Sequence, residues 1–165
     1  MIFYHYTSEP HLEQIQEDGV INTSDSNVSA TTEHAGPDVV WLFKEPLTGP
    51  TPRMLISNID VKIGMLSLDK SKIQIEVDVP EHEVRRADKF FKKLGADPQW
   101  IKQLEESGQS KNKKWYVIQR NIPQGEWRDV SIRPEASDIL EDYTTGTKQR
   151  IGHVEGTFVF DKKVS

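Results

Sequence analysis

The chain opens with MIFYHYTSEPHLEQIQEDGVI, residues 1–21, and this stretch decides how the remainder is interpreted. Residues 1–7 are aromatic and β-branched, which predicts a strand that begins at once. Alternation along a strand places His5 and Thr7 on one face and the tyrosines on the other. A polar pair in an aromatic strand suits a ligand cleft, where the imidazole bonds a hydroxyl and the threonine an amide. The other interpretation is a structural histidine beside solvent.

A helix and then a series of strands are predicted after this first strand. Ser8 is a candidate helix cap, Leu12 and Ile15 form an apolar stripe, and Gly19 ends the helix. The further predicted elements are strands over 39–43, 54–63, 73–79, 115–119, 129–132 and 157–160, and helices over 81–94, 98–108 and 135–142. Because strands and helices do not alternate regularly, the order favours one α+β domain over residues 1–165, not a doubly wound parallel sheet.

Composition excludes several classes of site. The chain has 165 residues, with four Trp, four Tyr and six Phe to build a core, and a net charge of −5 that disfavours a broad phosphate-binding surface. With no cysteine, it has no disulfide, no thiolate nucleophile and no cysteine-based metal site. We find no glycine-rich phosphate loop and no zinc-type histidine spacing, so no metal is expected. No apolar run nears the ~18 residues of a membrane span.

The opening stretch resembles the start of the ADP-ribosyltransferase fold. His5-Tyr6-Thr7, the helix that follows and Asp18-Gly19-Val20-Ile21 are similar to the poly(ADP-ribose) polymerase and diphtheria-toxin-like branch. The resemblance covers residues 3–21 well and residues 38–43 and 115–123 in part. It implies a split, two-sheet antiparallel or mixed β cleft, with helices after strand 1 and in mid-chain, that binds NAD as a substrate.

The resemblance also implies roles for individual residues. By position, His5 would hold the adenosine ribose, while the Tyr6 backbone and the Thr7 hydroxyl would hold the nicotinamide carboxamide. Trp41, in Val40-Trp41-Leu42-Phe43, stands where the family has an aromatic residue that stacks on nicotinamide, although it also suits a core position. His34 lies in a polar loop from which it could reach a ligand.

The catalytic glutamate of the family is not found where the pattern expects it. It commonly precedes a strand such as 115–118, but the residue at that position here is Lys114, whose charge is opposite. Three explanations are open: a shifted alignment, a substitute acid or amide (Gln119, Glu126 or Asp129), or a protein that binds a nucleotide without cleaving NAD. We expect Gln119 or Glu126 to be the catalytic residue if there is one.

The expected function is therefore an NAD-dependent ADP-ribosyltransferase or NAD glycohydrolase that acts on a macromolecular acceptor, protein or nucleic acid. The alternative is a catalytically degenerate module of the same fold that binds a nucleotide or a protein, including a small acidic inhibitor of the kind that viruses make. Since the N-terminus has no basic and apolar leader, a cytoplasmic protein with no membrane partner is expected. The basic stretch from Lys111 to Lys114 is a candidate contact for a phosphate or an acidic partner.

Overall fold

The computed structural model describes residues 1–24, 37–49, 55–61, 64–107, 115–136, 138–142 and 144–151. Several predictions fall outside these residues: the strand over 157–160, the basic stretch at Lys111 to Lys114 and the position of His34. The described part contains three α-helices and twelve strands.

The helices are α1 (Glu9–Asp18), α2 (Ala87–Lys93) and α3 (Pro98–Ser107). The strands are β1 (Ile2–Thr7), β2 (Val20–Ile21), β3 (Val40–Phe43), β4 (Leu55–Val61), β5 (Gly64–Asp69), β6 (Ile73–Asp78), β7 (Val84–Arg86), β8 (Trp115–Ile118), β9 (Ile122–Pro123), β10 (Trp127–Ile132), β11 (Asp138–Asp142) and β12 (Lys148–Ile151).

The strands form three sheets. A six-stranded sheet has the order β10-β6-β1-β3-β8-β7, a four-stranded sheet has the order β12-β11-β5-β4, and β2 pairs with β9. β3 lies antiparallel to both β1 and β8, and β11 lies antiparallel to both β5 and β12. The α+β class with mostly antiparallel sheets is therefore confirmed.

The N-terminal elements form where the sequence predicts them. β1 and α1 follow one another directly, and the carbonyl of Ser8 accepts the N–H of Leu12 to open the helix. The Ser8 hydroxyl hydrogen-bonds the ring of His11 at 2.9 Å. Gly19 ends the helix at φ 67°, a left-handed conformation that costs glycine no Cβ clash.

Two predicted helices are wrong in part or in whole. Within 81–94, the chain makes a 3-10 turn over Glu81–Glu83 and the strand β7 before α2 begins at Ala87. The apolar spacing of that stretch fits a helix, but pairing of β7 with β8 overrides it. Residues 135–142 contain β11 instead of a helix, because β11 is paired on both sides by β5 and β12.

Contact density divides the chain into two compact units. Unit 1 comprises Met1–His5, Asp18–Leu47 and Glu76–Asp129, and unit 2 comprises Tyr6–Glu17, Thr48–Ile75 and Val130–Ser165. The segments of the two units alternate along the chain. One domain over residues 1–165 stays a prediction.

The core of unit 1 is aromatic. Its fully or nearly fully buried members include Val39, Ala87, Phe91 and Val117. Partly buried aromatic side chains pack against this cluster from α2, α3, β3 and β8: Phe90, Trp100, Trp41 and Trp115. Three of the four tryptophans of the chain therefore pack against this core.

Candidate functional site

His5 lies on β1 within unit 1, and its ring is fixed by the neighbouring strand. The Nδ1 atom lies 2.9 Å from the carbonyl oxygen of Trp41 on β3. Because a carbonyl oxygen can only accept, Nδ1 carries the proton of this hydrogen bond. Burial lowers the pKa of His5 from 6.5, and the bond to Trp41 opposes the shift only in part. The neutral ring thus presents Nε2 as an acceptor, which suits a ligand hydroxyl.

Tyr6 and Thr7 belong to unit 2, and both side chains are buried. The Tyr6 hydroxyl donates to Oε1 of Gln74 at 2.8 Å, and the Arg133 guanidinium lies 5.7 Å from the centre of the Tyr6 ring. The Tyr6 side chain is therefore engaged in packing. The expected roles of the Tyr6 backbone and of the Thr7 hydroxyl toward a carboxamide stay predictions.

Trp41 packs against two other rings of the aromatic core of unit 1. Its ring stacks on Phe91 with centroids 5.6 Å apart and meets Trp115 edge-on at 5.4 Å. These contacts account for the aromatic side chain by packing alone, which was the alternative interpretation of this position. Its expected role as a stacking platform for nicotinamide stays a prediction, as does that of His34, which lies outside the described residues.

The two residues expected to be catalytic, Glu126 and Gln119, have different surroundings. Glu126 is held in a two-point ion pair, since Arg120 donates from Nη1 to Oε1 at 2.7 Å and from Nη2 to Oε2 at 2.9 Å. Arg120 also donates from Nε to Glu83 at 2.8 Å. The hydrogen bond to Glu126 is the main reason that the pKa of Arg120 is raised. Gln119 is exposed and follows directly after the end of β8.

This ion pair bears on the expected catalytic role of Glu126 and on what Arg120 is able to bind. A carboxylate whose two oxygens both accept from one guanidinium has part of its acceptor capacity and of its charge already engaged, which makes it a weaker partner for a ribose hydroxyl. Arg120, with carboxylates on both sides, is likewise not available as a clamp for a pyrophosphate. Arg128 donates to Asp78 at 3.1 Å and is more than half exposed.

Unit 2 holds a buried ionic cluster that sequence reasoning missed. Lys72 Nζ lies 2.5 Å from Oε1 of Glu9 and 3.3 Å from Oδ2 of Asp138, and all three side chains are at most 3% exposed. The N–H of Asp69 donates to Oδ1 of Asp138 at 2.9 Å. No local pattern points to this cluster, because its members come from α1, from the turn before β6 and from β11.

The same turn is fixed by a second set of buried groups. The Asp69 carboxylate accepts the N–H of Ser71 at 2.8 Å and its hydroxyl at 2.6 Å. Arg133 donates to the Ser71 carbonyl at 3.1 Å and to the Gly49 carbonyl at 2.6 Å. Groups this inaccessible do not meet a solvent-borne ligand, so the Lys72 cluster and this turn belong to the interior of unit 2 and not to a binding site.

The described residues contain no group of three or more His, Asp or Glu side chains placed to hold a metal ion. No helix in the part of the chain that the structure describes is long and apolar enough to cross a membrane. The chain matches no protein-family model, no curated protein and no solved structure.

Proposed function

We propose that the chain is a nucleotide-binding module of ADP-ribosyltransferase-like design that holds NAD or ADP-ribose through His5. One observation supports this best: the His5 ring bonds the backbone carbonyl of Trp41 at 2.9 Å. This hydrogen bond links β1 to β3, the two strands whose motifs resemble the family, through His5 and Trp41. A neutral imidazole with a fixed tautomer is the form that accepts a hydrogen bond from a ribose hydroxyl.

Binding without cleavage is favoured over transfer by the state of Glu126. Cleavage of NAD needs a group that stabilises an oxocarbenium-like transition state, and a carboxylate does so only while its charge is available. Arg120 pairs with both oxygens of Glu126 and is shared with Glu83, so the charge of Glu126 is partly offset. Transfer of ADP-ribose to a protein or nucleic-acid acceptor stays a prediction, and the experiment below separates it from binding.

Ligand binding is tested by thermal unfolding in the presence of NAD, ADP-ribose or, as a control, ATP. A ligand at about 100 times its Kd stabilises the folded state by ~2.7 kcal/mol. For a chain of this length, that is a rise in Tm of about 5–10 °C. We expect the rise with NAD or ADP-ribose and not with ATP, since the resemblance is to a site for the ADP-ribose unit.

The variant His5→Asn tests the ribose contact, because Asn retains an N–H donor for the Trp41 carbonyl but moves the acceptor. We expect it to lose most of the NAD-dependent rise in Tm, while His11→Asn, a change at an exposed histidine, keeps it. The absence of any stabilisation of the unchanged protein by either ligand contradicts the proposal.

Cleavage is tested on the same samples by chromatographic detection of free nicotinamide. The proposal expects release no faster than in buffer. Release that is lost in Glu126→Gln or in Gln119→Ala would establish an NAD glycohydrolase or transferase instead, and labelling of a lysate with labelled NAD would then identify the acceptor class.

A further inference from the structure

A groove between α2 and α3 in unit 1 has no part in the nucleotide site proposed above. Its volume is about 420 Å³, within the ~300–1,000 Å³ common for ligand sites. Lys89 and Lys92 from α2 and Lys102 from α3 line it. Its apolar lining comes from Ala96, Pro98 and Ile101, and its acidic lining from Asp88 and Glu105.

Of the two acidic residues at this groove, Asp88 is paired with an arginine. Arg86 donates from Nε and Nη2 to the two oxygens of Asp88, at 2.9 and 2.6 Å. The pKa of Arg86 is raised mainly by its hydrogen bond to Asp88, and the negative charges of Asp88 and Glu105 raise it further. Within the described ranges, none of the three lysines has a carboxylate within ion-pair distance.

The lining of the groove carries three ammonium groups against two carboxylates, one of them paired with Arg86, so it is net positive on a chain whose net charge is −5. All three lysine side chains are exposed, whereas Ala96 and Ile101 are at most 9% exposed at its floor. Ammonium groups around an apolar floor match a ligand with carboxylates on either side of an aliphatic side chain. This local excess of positive charge indicates an anionic partner for this face.

We propose that the α2–α3 groove binds an acidic peptide segment of a partner protein. A nucleic acid fits less well, since the net charge of the chain opposes a long polyanion. The residues that line the groove also include no aromatic ring on which a base could stack. The peptide would place an aliphatic side chain over Ile101 and its carboxylates beside Lys89 and Lys102.

Fluorescence anisotropy with the full chain tests this proposal. The probe is a short fluorescein-labelled peptide in which a leucine pair is flanked by aspartate and glutamate, and its counterpart carries asparagine and glutamine instead. We expect the acidic probe to bind and its affinity to fall as salt rises, because the contacts are exposed ion pairs. The amide counterpart is expected to bind at least about tenfold more weakly.

Two double variants with the same change in net charge localise the site. Lys89→Glu with Lys102→Glu reverses the charge of the groove, whereas Lys44→Glu with Lys93→Glu changes exposed lysines of unit 1 that do not line it. We expect a loss of about tenfold or more for the first and less than about threefold for the second. A version with Lys89→Gln and Lys102→Gln, which adds no repulsion, is expected to lose about threefold or more.

Three results would overturn the proposal. The first is that the acidic probe binds no better than its amide counterpart at low salt. The second is an equal loss in the two double variants, which would mean that net charge and not the groove determines binding. The third is that a single-stranded RNA displaces the peptide, binds more tightly and depends on Lys89 and Lys102 in the same way, which would make the partner a nucleic acid.

Discussion

Replacing Lys72 by methionine tests whether the buried ionic cluster stabilises unit 2. The lysine lies within ion-pair distance of both Glu9 and Asp138. Methionine nearly preserves the side-chain volume but removes the positive charge. The carboxylates of Glu9 and Asp138, each at most 2% exposed, are then left in the interior without a compensating cation. Breaking a buried ion pair by removing one partner costs ~3–5 kcal/mol, because the remaining charge is desolvated and uncompensated.

We expect Lys72→Met to lower the free energy of unfolding by about 4 kcal/mol and the Tm by about 8–16 °C. Addition of Glu9→Gln to Lys72→Met removes one of the two uncompensated charges, so the double variant is expected to recover about 2 kcal/mol. The sign of the effect of the second substitution is the informative result. If the two residues were independent, the two losses in free energy of unfolding would add, whereas in one charge cluster the second substitution restores part of the first loss.

The measurement is equilibrium unfolding in urea, followed both by tryptophan fluorescence and by far-ultraviolet circular dichroism, so that coincident transitions justify one free energy. Lys44→Met, at an exposed lysine, is the control and is expected to change the free energy by less than about 0.5 kcal/mol. A loss below about 1 kcal/mol in Lys72→Met, or no recovery on adding Glu9→Gln, would refute the reasoning.

Three further predictions concern other parts of the chain. Gly19→Ala should lower the free energy of unfolding by about 1–2 kcal/mol. The cost comes from its left-handed φ of 67° and not from a clash, since a Cβ there meets nothing closer than 3.9 Å. Gly125→Ala, with open space and no positive φ, should be neutral in the same urea assay. Burial lowers the pKa of His5 below 6.5, so as the pH falls the histidine takes up a proton in the unfolded chain before it does so in the folded one. The free energy of unfolding should therefore decrease as the pH falls from 6.5 to the lowered pKa of the folded protein. Urea titrations across that range should show a shallower fall in His5→Asn, and an NMR titration that placed the pKa of His5 above 6.5 would contradict this. Arg120→Ala should lose about 1 kcal/mol, since its ion pairs with Glu83 and Glu126 are about a third exposed, and the loss should shrink in high salt; an unchanged loss would point to packing instead.

The parts of the fold that the sequence predicts are those with strong local patterns. β6 alternates between Ile73, Ile75 and Val77, all fully buried, and half-buried polar residues between them. α1 has its apolar residues and its terminal glycine at the expected positions. Local steric and hydrophobic rules are sufficient for such elements, because each one is decided within about ten residues.

The parts that the sequence does not predict depend on distant partners. The sequence around β11 predicts a short helix from residue 135, because its few apolar residues fit both the helical and the strand period. Only the pairing of β11 with β5 makes this segment a strand. The Lys72 cluster is invisible for the same reason, since Lys72 and Asp138 are separated by 66 residues. The sequence draws attention to His5 because a histidine is unusual in an aromatic strand. Its hydrogen bond to the backbone of Trp41 could not be predicted, since the two residues are 36 positions apart.

The alternation of the two units along the chain has a consequence for how the protein is made. Each unit needs three separate segments, and the last segment of unit 2 begins only at Val130. A nascent chain that has emerged as far as β6 therefore carries Glu9 and Lys72 without Asp138, and β5 without its partner β11. Contacts between such distant segments slow folding, because the intervening loops must close before any pairing compensates for them. Neither unit can be excised by a single cut, so truncation at any one boundary removes part of both or leaves one of them incomplete.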